Sequence, residues 1–555
     1  MEIIVLVVAL LAVTAVCVAI GERWKLPYPI LMLVATAAIA WLPWVPDYLI
    51  DAELILPLFL PPLLFQAART SSWSVFRTRW RTLLMLAVGL TAVTAAAVAG
   101  TVLWLVPGIA LPLAIMLGAM VAPPDPVAVE AVAGPARMPR RLLTVLQTEG
   151  LFNDAVAIVL FQAALGAVLA GQDSLGPGIL LDFVIGAALA VAIGFLVGFL
   201  YRVADRAVTS VGARTAVSVV APFAAYILAE EVHASGVIAV VVTALETNRR
   251  ARASDGEARV TRAAFWDVVN LMLTGLAFGL MGIELRAVVL AEGTDILGYA
   301  MPAVVVCAVV IAVRFLGMLA LAAATRRTDP LPRDWRESFV LTWCGMRGLA
   351  TLALALSVPT FATDGSLIAD RGLVIVLACA VLLATLVPTG LTVGPVLRLL
   401  GLQDDGSVAA AEIRELTGRA RTAALGAIRE RFGESEELSG EQMRMLTKRF
   451  EGMRREIDTQ TQAIRAVRPD GEPLDPEAAQ KAAEQAAQQA AVRKKVAKGR
   501  ELMAVAQTVG LDAARTEILA ARSEPGVDPE AADHVLRQLD LQIMAAPPRS
   551  RSKKH

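Results

Sequence analysis

Between Met1 and about Gly401, apolar runs of 16 to 30 residues follow one another with short polar breaks. A helix needs about 20 apolar residues to cross a bilayer core. No arrangement in water buries so many such segments, so residues 1–401 read as a polytopic membrane domain. From Leu402 to His555 the character changes. This part is rich in Ala and Gln and carries 25 acidic and 25 basic residues. It reads as a helical cytoplasmic tail spanning 402–555.

The first run, "IIVLVVALLAVTAVCVAI", has no basic stretch before it and is followed by "GERWK" rather than a small-residue cleavage site. It reads as a retained helix and not as a leader. The four cysteines, Cys17, Cys307, Cys344 and Cys379, lie inside apolar runs without ligand spacing and read as small core residues. Acids and bases are equal at 51 each, which gives no sign of a nucleic-acid partner.

Thirteen apolar segments are expected, the ninth short, and the loops between them alternate in charge. One set of loops holds 21 basic residues, from Arg23 and Lys25 through the Arg77, Arg79 and Arg81 group to Arg333 and Arg336. The other set holds Arg286 and Arg371. Basic loops stay in the cytoplasm. The sequence therefore places the N-terminus outside and the tail inside a multi-pass cell-membrane protein.

Ionisable groups deep in a bilayer cost at least ~2.5–3.5 kcal/mol each and mark ion paths or proton relays. Asp125 sits in "MVAPPDPVAVEAV", where Pro123, Pro124 and Pro126 remove backbone donors and disfavour helix before them. The fifth segment should be unwound there. Such backbone is tolerated only inside protein or beside a cavity. Its free carbonyls, together with the Asp125 carboxylate, suit a small hard cation. The sixth segment carries "TEGLFNDAVAIVLF". Glu149 and Asn153 share a helical face, and Gly150 and Asp154 share the neighbouring one. Gly150 is expected to leave open space beside the Asp154 carboxylate, where a dehydrated cation or a proton would sit. Arg314 and Arg347 lie mid-segment, and a buried guanidinium needs a partner. Glu149 is expected to pair with Arg347, and Arg314 to hold carbonyl ends of a broken helix. The fifth and twelfth segments run in opposite directions and both have disrupted centres, the sequence pointer to an inverted-repeat transporter with a midplane site.

The motifs "LPPLLFQAA" (60–68), "PPDPVAVEAV" (123–132), "EGLFNDAVAIVLF" (149–161), "AEEVHASGVIAVVV" (229–242), "GLAFGLMGIEL" (275–285) and "GMRGLATLALAL" (345–356) resemble, in order, those of the cation:proton antiporter-1 family. The resemblance covers most of residues 1–400. It implies an all-helical fold of about thirteen transmembrane helices with broken, crossed helices five and twelve, a homodimer, and exchange of sodium, lithium or potassium for protons by alternating access. By that resemblance Asp154 binds cation and proton in turn, Asn153 is its structural neighbour, and Asp125 is a second oxygen ligand of the transported ion. Glu149 with Arg347 is the stabilising pair. Asn-Asp at 153 and 154 implies electroneutral exchange. No cofactor and no covalent chemistry are expected, which sets the chain apart from a membrane protease.

Two positions depart from the family pattern. Pro124 stands where Thr is frequent and Gly150 where Ser is frequent, so backbone or water must replace two hydroxyl ligands, and potassium/proton exchange is the alternative. Thr274 stands where Asn is common. In the tail, Leu446, Phe450, Met453, Ile457, Gln460, Ile464 and Val467 form a heptad seam. No Gly-rich nucleotide fingerprint accompanies it. A regulatory or dimer-contact role is the expectation there.

Overall fold

The structure is a computed structural model. It describes residues 2–24, 26–42, 52–70, 80, 82–172, 179–249, 256–325, 332–363, 365–404, 407–432, 444–445, 502–522, 524 and 526–544. The heptad seam, the basic end of the chain and the loop arginines 77, 79, 81, 250, 252, 326 and 327 lie outside the described residues.

The described residues form helices and one isolated bridge between Phe361 and Leu367. In chain order they are α1 (Glu2–Trp24), α2 (Tyr28–Ala40), α3 (Ala52–Thr70), a π-helical turn (Met85–Leu90) leading into α4 (Thr91–Leu105), α5 (Leu111–Val121), α6 (Pro126–Ala136) and α7 (Arg140–Leu169). Then follow α8 (Ile179–Ala207), α9 (Val211–Glu230), α10 (Gly236–Arg249), α11 (Gly256–Glu292), α12 (Ala300–Thr325), α13 (Trp335–Trp343), α14 (Leu349–Leu356) and α15 (Arg371–Leu399). Among the described residues nine helical stretches are long and apolar enough to cross a membrane, while α2 and α10 are shorter apolar helices. Both expected interruptions are present: α5 stops at Val121 and α6 restarts at Pro126, and α13 stops at Trp343 with α14 restarting at Leu349.

Local chemistry sets several helix starts. Asp334 accepts the Glu337 backbone N–H at 2.9 Å, and Glu337 accepts that of Arg333 at 2.9 Å, a reciprocal cap on α13. Ser210 caps α9 through the Ala213 N–H. The short "AEEVH" segment turns between α9 and α10 with its last three residues exposed, and Glu230 accepts the Gly236 N–H at 3.3 Å.

The membrane helices pack as two groups. In one, α3 packs on α9 and α10, and α8 on the same two. Outside that group, α11 lies against α1 and α2 through Gly275, Gly279 and Gly282, where a Cβ would run into Thr14, Met32 and the Leu33 carbonyl. In the other, α5 lies between α4 and α7, and α12 packs on α4, α13 and α15. The groups meet where α3 approaches α14 and α10 approaches α7. Only 28% of each hydropathic window of α1, α8 and α12 is buried, which leaves an apolar surface for lipid to cover.

The chain divides into two compact units, Met1–Arg250 with Thr261–Asp405, and Ala251–Val260 with Gly406–His555. In the second, α16 (Ser407–Phe432), α17 (502–521) and α18 (Pro529–Met544) share an apolar core. Leu416, Ala420, Ala424 and Ile428, four residues apart, form the α16 stripe of that core. Asp540 is fully buried there and takes Arg515 at 2.6 Å and Arg259 at 2.8 Å.

Candidate functional site

The two breaks face each other, and their four helix ends are each given a counter-charge. The N-termini of α6 and α14 carry partial positive charge and unpaired N–H groups. Asp125 serves both. One carboxylate oxygen accepts from Val127 at 2.8 Å and Ala128 at 3.3 Å, and the other accepts from Leu349 at 3.1 Å. The Asp125 N–H in turn donates to the Met346 carbonyl at 2.7 Å, tying one break to the other. Gly348 permits this, because a Cβ there would overlap the Asp125 carboxylate.

The C-terminal ends carry partial negative charge, and an arginine closes each. Arg347 donates through Nε to the Val121 carbonyl at 2.8 Å, through Nη2 to that of Ala122 at 3.2 Å, and through Nη1 to that of Gly345. Arg314 donates through Nε to the Leu341 carbonyl of α13 at 3.2 Å. Its other two nitrogens grip Glu149, at 2.7 and 3.0 Å. Glu149, Arg314 and Arg347 are all buried. A planar fork matched to a carboxylate is the geometry in which a desolvated pair is tolerated.

This corrects the expected pairing: Glu149 is the partner of Arg314, and Arg347 holds the broken-helix carbonyls. Arg347 follows Gly345 inside the break, so its own backbone places it against the end of α5. Arg314 comes from a continuous helix that passes Glu149. A second correction concerns Gly150. The space beside it is filled by the Pro126 ring, whose carbons would lie 2.7–2.8 Å from an added Cβ. The glycine lets α7 approach the start of α6 and does not leave a void.

The carbonyls freed by unwinding are mostly spoken for. Besides the two held by Arg347, Thr351 donates to that of Met120 at 2.9 Å, and Asn153 donates to that of Pro124 at 3.2 Å. Asn153 is fully buried, and its amide oxygen has no partner among the described residues. Thr351 and Thr385, which accepts the Arg347 N–H at 3.2 Å, brace the break and carried no signal in the sequence beyond lying in apolar helices.

Asp154 differs from all of these. It is 4 % exposed and has neither a hydrogen bond nor an ion pair among the described residues. It lines a cavity of about 20 Å³ together with Asp125, Thr274, Phe278 and Leu64. That is room for about one water molecule or an ion of similar size. Glu149 and Asn153 do not line it. An ionised carboxylate without a partner at such a place is costly, and a proton or a monovalent cation would each neutralise it. Oxygen donors and an apolar wall suit a hard alkali cation and offer nothing to a soft metal.

Residues 7–399 match the family described as sodium/hydrogen exchanger, transmembrane. An uncharacterised Na+/H+ exchanger of Mycobacterium bovis is 32% identical over 441 residues, 77% of this chain and 79% of its own length. A sodium, potassium, lithium and rubidium/H+ antiporter of Bacillus pumilus is 30% identical over 70% of this chain and 60% of its own. The solved sodium proton antiporter MjNhaP1 from Methanocaldococcus jannaschii superposes with a TM-score of 0.54 at 20% identity, covering 72% of this chain and all of that one, a likeness of fold. On the match of its whole helical domain, the chain belongs to the sodium/hydrogen exchanger family.

Proposed function

We propose that the protein exchanges Na+ or Li+ for H+ across the cell membrane, one for one, by alternating access, with Asp154 binding cation and proton in turn. One observation carries this reading. Among the described residues, Glu149, Arg314, Arg347 and Asp125 at the crossed breaks each have a partner, and Asp154, facing the cavity, has none. Asp125 then acts as a fixed negative neighbour: its oxygens hold two helix ends while adding field to the cavity. The Arg314–Glu149 fork and Arg347 keep the breaks in register without clamping Asp154.

A one-for-one exchange moves no net charge, so the membrane potential, ~2.3 kcal/mol per charge per 100 mV, drops out. The driving force is the difference between two chemical gradients, with each pH unit supplying ~1.4 kcal/mol. The boundary between the two helix groups lies at the cavity, where relative movement would open it to one side and then the other. The reading includes the N-terminus outside, the tail in the cytoplasm and a homodimer.

Potassium/proton exchange is the second reading. The broad cation range in the name of the Bacillus pumilus relative favours it, as does the lack of side-chain oxygen at Pro124 and Gly150. The test is proton movement in acidified proteoliposomes on addition of sodium, lithium or potassium, with and without a clamped potential. Sodium- or lithium-driven alkalinisation insensitive to the clamp supports the first reading. An equal or larger potassium response supports the second. No response to any cation, from full-length protein and from residues 1–401, refutes both.

A further inference from the structure

Thr274 lies on α11, a helix separate from those that carry Asp125 and Asp154, and it lines the same cavity. It is 1 % exposed, and among the described residues no partner meets its hydroxyl in good hydrogen-bond geometry. The Tyr28 hydroxyl on α2 is its polar neighbour, near enough to interact but outside hydrogen-bond geometry.

A buried threonine in a helix has an easy way to avoid this. Its hydroxyl can donate to the carbonyl one turn back. Thr14, Thr36, Thr94, Thr148, Thr243 and Thr342 all do so, at 2.5–2.8 Å. Thr274 does not take the Asn270 carbonyl. A buried hydroxyl left unbonded beside two carboxylates is costly unless something else completes it. What is missing on the other wall is an oxygen, since Pro124 commits its carbonyl to Asn153 and Gly150 has no side chain.

We propose that Thr274 Oγ1 is a ligand of the transported cation, supplying from α11 the hydroxyl oxygen that positions 124 and 150 lack. Its lone pairs face the ion beside Asp154, and its O–H is then free to donate to the Asn270 carbonyl or to Tyr28. This rests on the reading of Asp154 as the exchange site.

The test compares Thr274→Val, which keeps the shape and removes the oxygen, with Thr274→Ser, which keeps the oxygen. Half-saturating Na+, Li+ and K+ and the maximal rate are measured in proteoliposomes at fixed pH. Cation-induced thermal stabilisation in detergent gives a readout that does not need transport. Losing one polar contact to a charged partner should raise half-saturating Na+ about tenfold in Thr274→Val, with the maximal rate within about twofold. Thr274→Ser should stay within about twofold of wild type in both. Thr274→Ala replaces the valine variant, with the same expectation, if that one does not reach the membrane. Unchanged half-saturation in an active Thr274→Val protein overturns the inference, and so does a serine variant as weak as the valine one. Asp154→Asn separates the two claims. If it still exchanges, the reading of the site fails. If it is inactive while Thr274→Val binds normally, only the ligand inference fails.

Discussion

The exchange of partners between the two buried arginines gives a sharp energetic prediction. Glu149 receives two hydrogen bonds from Arg314, at 2.7 and 3.0 Å, with both residues buried. Removing one member of such a pair leaves an unpaired charge and costs ~3–5 kcal/mol, whereas replacing both by apolar side chains is often neutral. Glu149→Leu and Arg314→Met should therefore each be strongly destabilising, and the double variant should recover most of the loss. At ~2 °C per kcal/mol, the low end for large domains, each single change lowers the melting temperature by ~6–10 °C. The same cycle with Arg347→Met should show little recovery, because removing Glu149 does nothing for the Val121 and Ala122 carbonyls that Arg347 holds. Melting of detergent-purified protein, followed by fluorescence size-exclusion, reads all six proteins. Coupling of Glu149 to Arg347 at least as strong as its coupling to Arg314 would refute the assignment.

Further predictions follow from close contacts and exposed charge. Gly150→Ser, the change that would restore a hydroxyl by sequence reasoning, should instead press on the Pro126 ring, cost ~1–3 kcal/mol and lower exchange; a stable variant with raised sodium affinity would contradict this. Gly348→Ala should abolish exchange in purified, folded protein by displacing the Asp125 carboxylate from the α14 N-terminus, and normal flux would refute it. In the tail, Arg419 bonds Glu517 and Glu524, and its hydrogen bond holds the exposed Glu524 carboxyl below its ordinary 4.5. A lowered folded value means the contribution is present above pH 4.5 and lost as the pH falls through the folded value. The difference in hydrogen exchange of residues 407–432 between wild type and Arg419→Ala should therefore be visible at neutral pH and vanish in acid. A difference that persists in acid would point to packing.

The broken helices were legible because prolines and glycines act through covalent geometry. Three prolines within four residues around Asp125 remove donors and disfavour helix for the residues before them, and Gly345 and Gly348 lie in the second break. That Asp154 would be buried at depth was legible for a similar reason, since it stands in an apolar run. What could not be read were the choices among partners. Arg314 and Arg347 are chemically identical and similarly deep, and only the crossing of the helices decides which meets Glu149. Gly150 shows the same limit: its lack of a side chain was plain, but whether that leaves space or lets another chain approach depends on where Pro126 lies. Thr274 looked like a minor departure because one residue on α11 gives no hint that it faces α7.

The central claim is that proton and cation compete for the cavity carboxylate of Asp154. Its most direct test is the half-saturating sodium concentration as a function of pH in proteoliposomes with the potential clamped at zero. Competition at one site predicts that, in the acidic limb, half-saturating sodium falls about tenfold per pH unit, with an unchanged maximal rate, and that Asp154→Asn shows no cation-driven proton movement at any pH. A half-saturation independent of pH, or sustained exchange by folded Asp154→Asn, would contradict the account.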